Sequence, residues 1–282
     1  MDAPHAANAQ TYPKLGHRFV FRSYGVVVRL ESDSAETLDD AVRASTKALL
    51  GNIETLPPDS LSDQVFGFVR HDDGTATLYR NGEEFSTGDY GRGFYFFYDG
   101  IIRIAVGQFS PLFVFVHAGV VGRNGKAVVI PGSSFRGKTT LVKALVELGC
   151  EYYSDEYALI DESGLVHPFA RELSIRTDPP NVREDPMSVE SFGGRIGTEP
   201  IPVGAVLVTE YSDGPCWEPA YLSPGEGVME LIPHTLCMQT YPERSLNVLK
   251  LAISGALLAK SYRGDAQKCA RIILDFIDNT TV

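Results

Sequence analysis

Two glycines, a lysine and a threonine at fixed spacing give this sequence its clearest chemical signal. Gly132, Gly137, Lys138 and Thr139 fit the pattern G-x-x-x-x-G-K-[ST] within the stretch VIPGSSFRGKTTL. Glycines let the backbone wrap closely around phosphate groups, so that its N–H groups can donate to them. A lysine at this place reaches the β- and γ-phosphates, and the threonine hydroxyl ligates Mg²⁺. The pattern therefore predicts a site for a nucleoside triphosphate, which we expect to be ATP, together with Mg²⁺.

The neighbouring segments favour a phosphate-binding loop at this pattern. The apolar stretch AVVIP before it predicts a strand, and TTLVKALVEL after it has the spacing of a helix, whose N-terminus favours negative charge. The alternative is a Gly-Ser turn before a helix that happens to start with lysine. It does not explain why a strand and a helix are predicted on the two sides of the motif. For Arg136, a surface cation and an extra phosphate contact both stay open. The expected nucleotide-binding residues are Gly132, Ser133, Ser134, Phe135, Arg136, Gly137, Lys138, Thr139 and Thr140.

A hairpin leads into the loop. Asn124–Gly125 is a dipeptide typical of type I′ turns, and apolar stretches flank it on both sides. Pairing Arg123 with Lys126 and continuing the register places His117 opposite Gly132, unless a bulge shifts it by one residue. His117 is then either a hydrogen-bonded core residue or a phosphate contact and charge sensor with a part in catalysis.

Two acidic residues follow the predicted helix, in the segment YYSDEYALID. Asp155 and Glu156 end a short β-prone stretch, where a carboxylate can hold Mg²⁺ or accept the proton of an attacking hydroxyl. Because adjacent residues of a strand point to opposite faces, one of the two faces the phosphates unless the strand is kinked. An exposed acidic strand end is the alternative interpretation.

These motifs together resemble the catalytic domain of the HPr kinase/phosphorylase family and its shorter relatives. The resemblance rests on HAGVV, GKAVVIPGSSFRGKTTLVKALVELGC and EYYSDEYALID, covers about residues 113–177, and continues more weakly to about residue 278. The sequence is also distantly similar to ATP-dependent phosphoenolpyruvate carboxykinase. In the family two aspartates stand where this chain has Asp155 and Glu156.

The resemblance implies roles for particular residues. By this resemblance Lys138 would bind the phosphates, and Thr139 and Asp155 would bind the metal. Asp155 and Glu156 would take part in the proton transfer. Relatives carry basic residues near Arg171 and Arg176, which implies acceptor or phosphate contacts there, although salt-bridged surface arginines are an equal alternative. The fold implied is an α/β P-loop kinase core with a mixed sheet, preceded by a smaller α+β domain.

The rest of the chain supplies the elements around this core. We predict a flexible leader over residues 1–16, an α+β domain over 17–110 and the kinase-like domain over 111–282. In the first domain we expect a strand or a strand pair bent at Gly25, a helix capped by Ser34, and further β structure over residues 93–109. In the second we expect a mobile loop within the Gly/Pro-rich region 178–202, which contains SFGGRIG, and two helices, over residues 244–262 and 265–279, the latter capped by Asp265.

Composition excludes several classes of protein. The formal net charge is −11, and without a basic cluster we expect no nucleic-acid partner. The start MDAPHAANAQ is unlike a signal peptide, and the apolar run around His117 is too short to span a bilayer, so a cytoplasmic protein without membrane contact is expected. The four scattered cysteines predict reduced thiols.

Two classes of function fit these observations. The first is an ATP- and Mg²⁺-dependent kinase acting on a serine of a peptide or protein, with HPr or a precursor peptide, as in lasso-peptide biosynthesis, as the acceptor the family implies. A kinase of a small-molecule hydroxyl is a variant of it. The second is a regulatory module that binds a nucleotide without phosphoryl transfer. By family habit we also expect a homo-oligomer.

Overall fold

We describe a computed structural model of the 282-residue chain, over residues 12–132, 137–177, 183–212 and 217–280. Contacts between Cα atoms divide the chain into two compact units, Met1–Phe109 and Ser110–Val282. None of the described helices is long and apolar enough to cross a membrane.

The first unit is a sheet that shares one apolar core with two helices. Its strands, in the order β3-β1-β2-β4-β5-β6, form one six-stranded sheet in which β2 and β4 run parallel and the other neighbours antiparallel. The elements are β1 (His17–Ser23), β2 (Val26–Ser32), α1 (Ala35–Ala48), β3 (Glu54–Leu56), β4 (Gln64–Arg70), β5 (Thr75–Arg80), β6 (Glu83–Asp89) and α2 (Arg92–Phe109).

Local sequence explains most of this unit. Ser34 caps α1 by accepting a hydrogen bond from the Thr37 amide, as predicted, and the β1–β2 hairpin turns at Gly25, which has a φ of 84°. The prediction of β structure over residues 93–109 is wrong, because this segment is α2. Tyr12 and Leu15, in the predicted leader, pack against Gly67 of β4, while residues 1–11 lie outside the described ranges.

The second unit is a mixed sheet with helices on both faces. The strand order is β14-β9-β7-β10-β11-β15-β17-β16, and β8 pairs with β7 and β15. Its elements are β7 (Val114–Arg123), β8 (Lys126–Pro131), α3 (Lys138–Glu147), β9 (Glu151–Ser154), β10 (Tyr157–Ile160), β11 (Leu165–His167), β12 (Leu173–Thr177), β13 (Arg183–Met187), β14 (Arg195–Ile196), β15 (Ile201–Tyr211), β16 (Ala220–Tyr221), α4 (Pro224–Leu231), α5 (Pro242–Ala252), β17 (Leu257–Arg263) and α6 (Ala266–Asn279).

Two apolar cores flank this sheet. Helices α3 and α6 pack on one face, against residues such as Val128, Leu207 and Ala259, and α4 and α5 pack on the other, against residues such as Val129 and Leu258. The architecture is therefore mixed α/β, with parallel and antiparallel pairs in one sheet. This arrangement places the strand ends around α3, where the sequence predicts the site.

Three expectations for this unit need correction. The predicted helix over residues 244–262 ends at Ala252, and its second half is strand β17. The segment SFGGRIG is structured rather than an open loop, since it contains a 3-10 turn and strand β14, which pairs with β9. Cys269 is disulfide-bonded rather than reduced, whereas Cys150 and Cys237 are free and buried.

Candidate active site

The hairpin feeding the loop has the predicted register. Arg123 pairs with Lys126 and Gly119 with Ile130, without a bulge, and Asn124 and Gly125 both have positive φ, at 52° and 72°. The Gly132 amide donates to the His117 carbonyl over 3.3 Å. The first glycine of the phosphate loop is therefore fixed to β7 beside His117.

At the described end of the loop, the backbone is open to close approach by a ligand. Gly137 caps α3 in the left-handed region, with a φ of 73° and no side-chain cap. Thr140, in the first turn of α3, is exposed. Ser133, Ser134, Phe135 and Arg136 lie outside the described residues, so their predicted contacts with phosphate stay predictions. What the structure supplies is a helix N-terminus directly after the second glycine.

Lys138 lies across the start of the loop. A Cβ atom added at Gly132 would lie 3.5 Å from the Lys138 Cδ, so the lysine side chain passes close to the first glycine. The side chain is buried, with 7% of the residue exposed. Burial lowers the pKa of Lys138 to about 8, against the charges of Glu156 and Asp155, which raise it. The lysine and both carboxylates thus share one electrostatic environment.

Two hydroxyl groups hold the carboxylate of Asp155. The Thr139 hydroxyl donates to Oδ2 over 3.1 Å, and the Tyr152 hydroxyl donates to Oδ1 over 2.9 Å. Burial, together with the charge of Glu156, raises the pKa of Asp155, and the two hydrogen bonds oppose that rise. Each oxygen of Asp155 therefore has a fixed partner, one of which is the threonine of the phosphate loop.

Thr139 and Asp155 fit a magnesium ion. Both present oxygen atoms, and Mg²⁺ is commonly bound through one or two protein oxygens, with water and substrate phosphates completing its shell. Among the described residues, no group of three or more His, Cys, Asp and Glu side chains could hold a metal ion by itself. The pair would therefore fit an ion that arrives with the phosphates of the predicted nucleotide.

The chain bends at the acidic pair. Strand β9 ends at Ser154 and β10 begins at Tyr157, and both strands pair with β7. The Ser154 hydroxyl oxygen accepts hydrogen bonds from the amides of Glu156, at 3.0 Å, and Tyr157, at 2.9 Å. This turn interrupts the strict alternation of a strand, which is why both carboxylates act on Lys138.

His117 lies beside this turn. It pairs with Tyr157 in the antiparallel ladder between β7 and β10, and the centroids of the two rings are 5.7 Å apart. The structure therefore places His117 next to Gly132, as the hairpin predicted, and also next to the acidic turn. Its direct part in catalysis stays a prediction.

The two downstream arginines follow strand β11 in the sequence. Arg171 is half-buried in the connection between β11 and β12, two residues after Phe169, whose amide donates to the Tyr153 carbonyl over 2.9 Å. Arg176 belongs to β12, and its side chain lies outside the described residues. The predicted acceptor or phosphate contacts of Arg171 and Arg176 therefore stay predictions.

Two residues of the site were missed by sequence reasoning. Tyr152 is three positions before Asp155, and the sequence predicts only that it belongs to a β-prone stretch. Arg263 is fully buried and donates to the Gly137 carbonyl over 2.8 Å, whereas the stretch YRGDA indicated only a helix cap at Asp265. That cap is confirmed, because Asp265 accepts a hydrogen bond from the Lys268 amide. An arginine two residues before a helix cap carries no sequence signal of its burial, so the contact of Arg263 with Gly137 could not be predicted.

Comparison with known proteins gives a distant structural similarity. No family model and no curated protein matches the chain. Among solved structures, the Hpr(Ser) kinase/phosphatase from Coxiella burnetii is similar over 58% of this chain and 88% of its own, with 14% sequence identity and a TM-score of 0.35. Since a likeness of this size does not establish a shared activity, we base the functional proposal on the residues of the site.

Proposed function

We propose that this protein is an ATP- and Mg²⁺-dependent kinase that transfers the γ-phosphate to a serine hydroxyl of a peptide or protein. The observation that carries the proposal is the contact between Thr139 and Asp155 beside the buried Lys138. Phosphoryl transfer requires a cation on the phosphates, a metal site and a carboxylate near the attacking hydroxyl. One turn and one helix end bring Lys138, Thr139 and two carboxylates close together here, which supports the proposal.

Each residue has a distinct task in this proposal. The ammonium group of Lys138 binds the β- and γ-phosphates, and the N-terminus of α3 adds its dipole. Thr139 and Asp155 would hold Mg²⁺, which supplies positive charge to the phosphate oxygens when bound. The fixed orientation of Asp155 suits that task, because Tyr152 and Thr139 leave it little freedom to rotate.

Glu156 is then the acceptor of the hydroxyl proton. As the serine oxygen bonds to the γ-phosphorus, the bond from phosphorus to the β–γ bridging oxygen breaks and ADP leaves. The proton of the serine hydroxyl passes to the carboxylate of Glu156. The serine acceptor itself follows from the resemblance of the sequence to the HPr kinase/phosphorylase family.

Two substitutions test this division of tasks. Lys138→Ala is expected to abolish ATP binding, whereas Asp155→Asn is expected to retain ATP binding and to lose phosphoryl transfer. Lys143→Ala is the matched control, because Lys143 lies on the same helix and pairs with Glu147. Binding is measured by calorimetry and transfer by the release of ADP in the presence of acceptor.

The same experiment separates the kinase from its main alternative. A regulatory nucleotide-binding module predicts that the wild-type protein binds ATP without forming ADP in the presence of any acceptor. Transfer at the wild-type rate in Asp155→Asn would contradict the role of that residue.

A further inference from the structure

Three parallel strands end next to the phosphate loop. β8, which enters the loop, pairs in parallel with β15, and β15 pairs in parallel with β17. The carboxyl ends of parallel strands meet at one edge of a sheet, and ligands of α/β proteins bind in the crevice outside that edge. The acidic turn lies on the other side of β8, because β9 and β10 both pair with β7. The ends of β15 and β17 therefore lie across the loop from the carboxylates.

Tyr211 and Arg263 occupy these two strand ends. They are register partners, so their side chains lie on the same face of the sheet. Leu207 and Ala259, at matching positions of the same strands, pack into the core with α3, which identifies the face. Both residues thus lie on the side of the sheet where α3 begins.

Arg263 ties β17 to the phosphate loop. Its guanidinium donates to the carbonyls of Gly137, at 2.8 Å, and Gly264, at 3.1 Å. A Cβ atom at position 137 would lie 2.5 Å from the Arg263 Nη2, so only a glycine leaves room for the guanidinium there. The end of β17 is therefore in direct contact with the last glycine of the loop.

Tyr211 lies at the end of β15, at the rim of the same crevice. The residue is 59% exposed, which is high for a large aromatic side chain at the end of a buried strand. Burial lowers the pKa of Arg263, and the charges of Asp265 and of an ionised Tyr211 raise it, so Tyr211 lies near this guanidinium. The next residue, Ser212, donates its amide to the Arg263 carbonyl over 2.9 Å, which fixes the strand end. Continuing the register of β8 and β15 places Gly132 beside Thr209, two residues, or about 7 Å, before Tyr211.

We propose that the ends of β15 and β17 form the nucleobase end of the nucleotide site, with the base stacked on the ring of Tyr211. This inference rests on the proposed function, since it assumes that the loop holds a nucleoside triphosphate. It orients the nucleotide along the crevice, with the γ-phosphate at the acidic turn and the base at β15. A planar base and an exposed aromatic ring attract each other with little regard to the identity of the base, so ATP and GTP both fit this end.

Binding of ligands with and without a base tests the proposal. We would measure the affinity of ATP and of inorganic tripolyphosphate, both as Mg²⁺ complexes, for the wild-type protein, Tyr211→Ala and Tyr211→Phe. Stacking on an aromatic side chain is worth roughly 1–3 kcal/mol per base, which corresponds to a loss of at least fivefold. We expect Tyr211→Ala to lose this factor for ATP and to keep its affinity for tripolyphosphate, and Tyr211→Phe to bind both like the wild type.

Tyr262→Ala is the matched control. Tyr262 is 64% exposed and precedes Arg263, so it points to the opposite face at the same edge. Its substitution is expected to change neither affinity.

Three results would overturn the inference. They are an unchanged ATP affinity in Tyr211→Ala, an equal loss for ATP and tripolyphosphate, and a wild-type protein that binds ATP no more tightly than tripolyphosphate. A wild-type protein that binds ATP but transfers no phosphate would contradict the proposed kinase and leave the base site standing. A wild-type protein that binds neither ligand would contradict both.

Discussion

The orientation of the Asp155 carboxylate depends on a second buried side chain, that of Tyr152. The neighbour of Asp155 in the sequence is Glu156, yet its hydrogen-bond partners are Thr139, on α3, and Tyr152, on β9. Tyr152 is fully buried among the residues that pack against α3. A hydrogen bond to a charged group contributes about 1.5–3 kcal/mol, so this tyrosine strongly biases the carboxylate. We regard Tyr152 as a positioning residue for Asp155.

Tyr152→Phe removes this hydroxyl and keeps the ring. We expect the rate of phosphoryl transfer to fall roughly tenfold, the Mg²⁺ requirement to rise, and the affinity for ATP to stay unchanged, because the lysine and the loop are untouched. Tyr153→Phe is the control, since Tyr153 is equally buried on the other face and donates to the Glu199 carbonyl over 2.8 Å. Equal rate losses in the two variants would show a general packing effect instead.

Lys138 makes stability depend on pH. Its pKa is about 8 in the folded protein, mainly through burial, against 10.5 for an ordinary lysine. Between these values the unfolded chain binds more protons than the folded one, so stability rises with pH. We therefore expect the wild type to gain roughly 2 kcal/mol relative to Lys138→Met between pH 7 and pH 9.5. Urea unfolding of both proteins without ligand measures this, and parallel pH profiles would be the contrary result.

At the scale of elements, the hairpin and the loop could be predicted from local sequence. Asn124–Gly125 sets the turn, and the turn sets the register that carries His117 to Gly132. The caps of α1 and α6 follow from single polar residues in the same way. Signals of this kind lie within a few residues of the structure they determine.

Elements without such signals were assigned wrongly. Residues 93–109 are rich in aromatic side chains, which favours strands, but their buried positions, Phe94, Tyr98, Ile102 and Val106, recur every four residues along α2. After α5 the apolar spacing continues without an obvious stop, although Gly255, with a φ of 78°, separates the helix from β17. The contacts of Tyr152 and Arg263 depend on these tertiary placements, which is why the sequence did not reveal them.

Gly119 determines how closely α3 approaches β7. A Cβ atom at this position would lie 2.6 Å from the Val142 Cγ2. We expect Gly119→Ala to destabilise the protein by about 1–3 kcal/mol and to weaken ATP binding, because the helix must move away from the strand.

A second substitution shows whether this contact is the cause. In Gly119→Ala with Val142→Ala, the loss in the free energy of unfolding should be smaller than the sum of the two single losses. Gly88→Ala is the control, since a Cβ atom there meets nothing within 4 Å. Additive losses at positions 119 and 142 would contradict the proposed packing limit. Urea unfolding of the wild type and the four variants measures all of these values.

At the scale of the whole molecule, composition predicts less than the motifs do. The net charge of −11 argues against binding to nucleic-acid backbones, but it does not distinguish a kinase from a regulatory module. The site belongs entirely to the second unit, Ser110–Val282, which has two apolar cores of its own. The first unit has a separate core, and we assign it no step of the transfer.

The most direct test of the kinase is transfer of a labelled γ-phosphate. The full-length protein would be incubated with Mg²⁺ and ATP labelled on the γ-phosphate, together with HPr, serine-containing peptides, the same peptides with serine replaced by alanine, and small hydroxyl compounds. Intact-mass analysis then shows which molecule carries the label. We predict label on a serine in the wild-type reaction and none with Asp155→Asn. Wild-type protein that binds ATP and labels no acceptor of any class would contradict the kinase and favour a regulatory module.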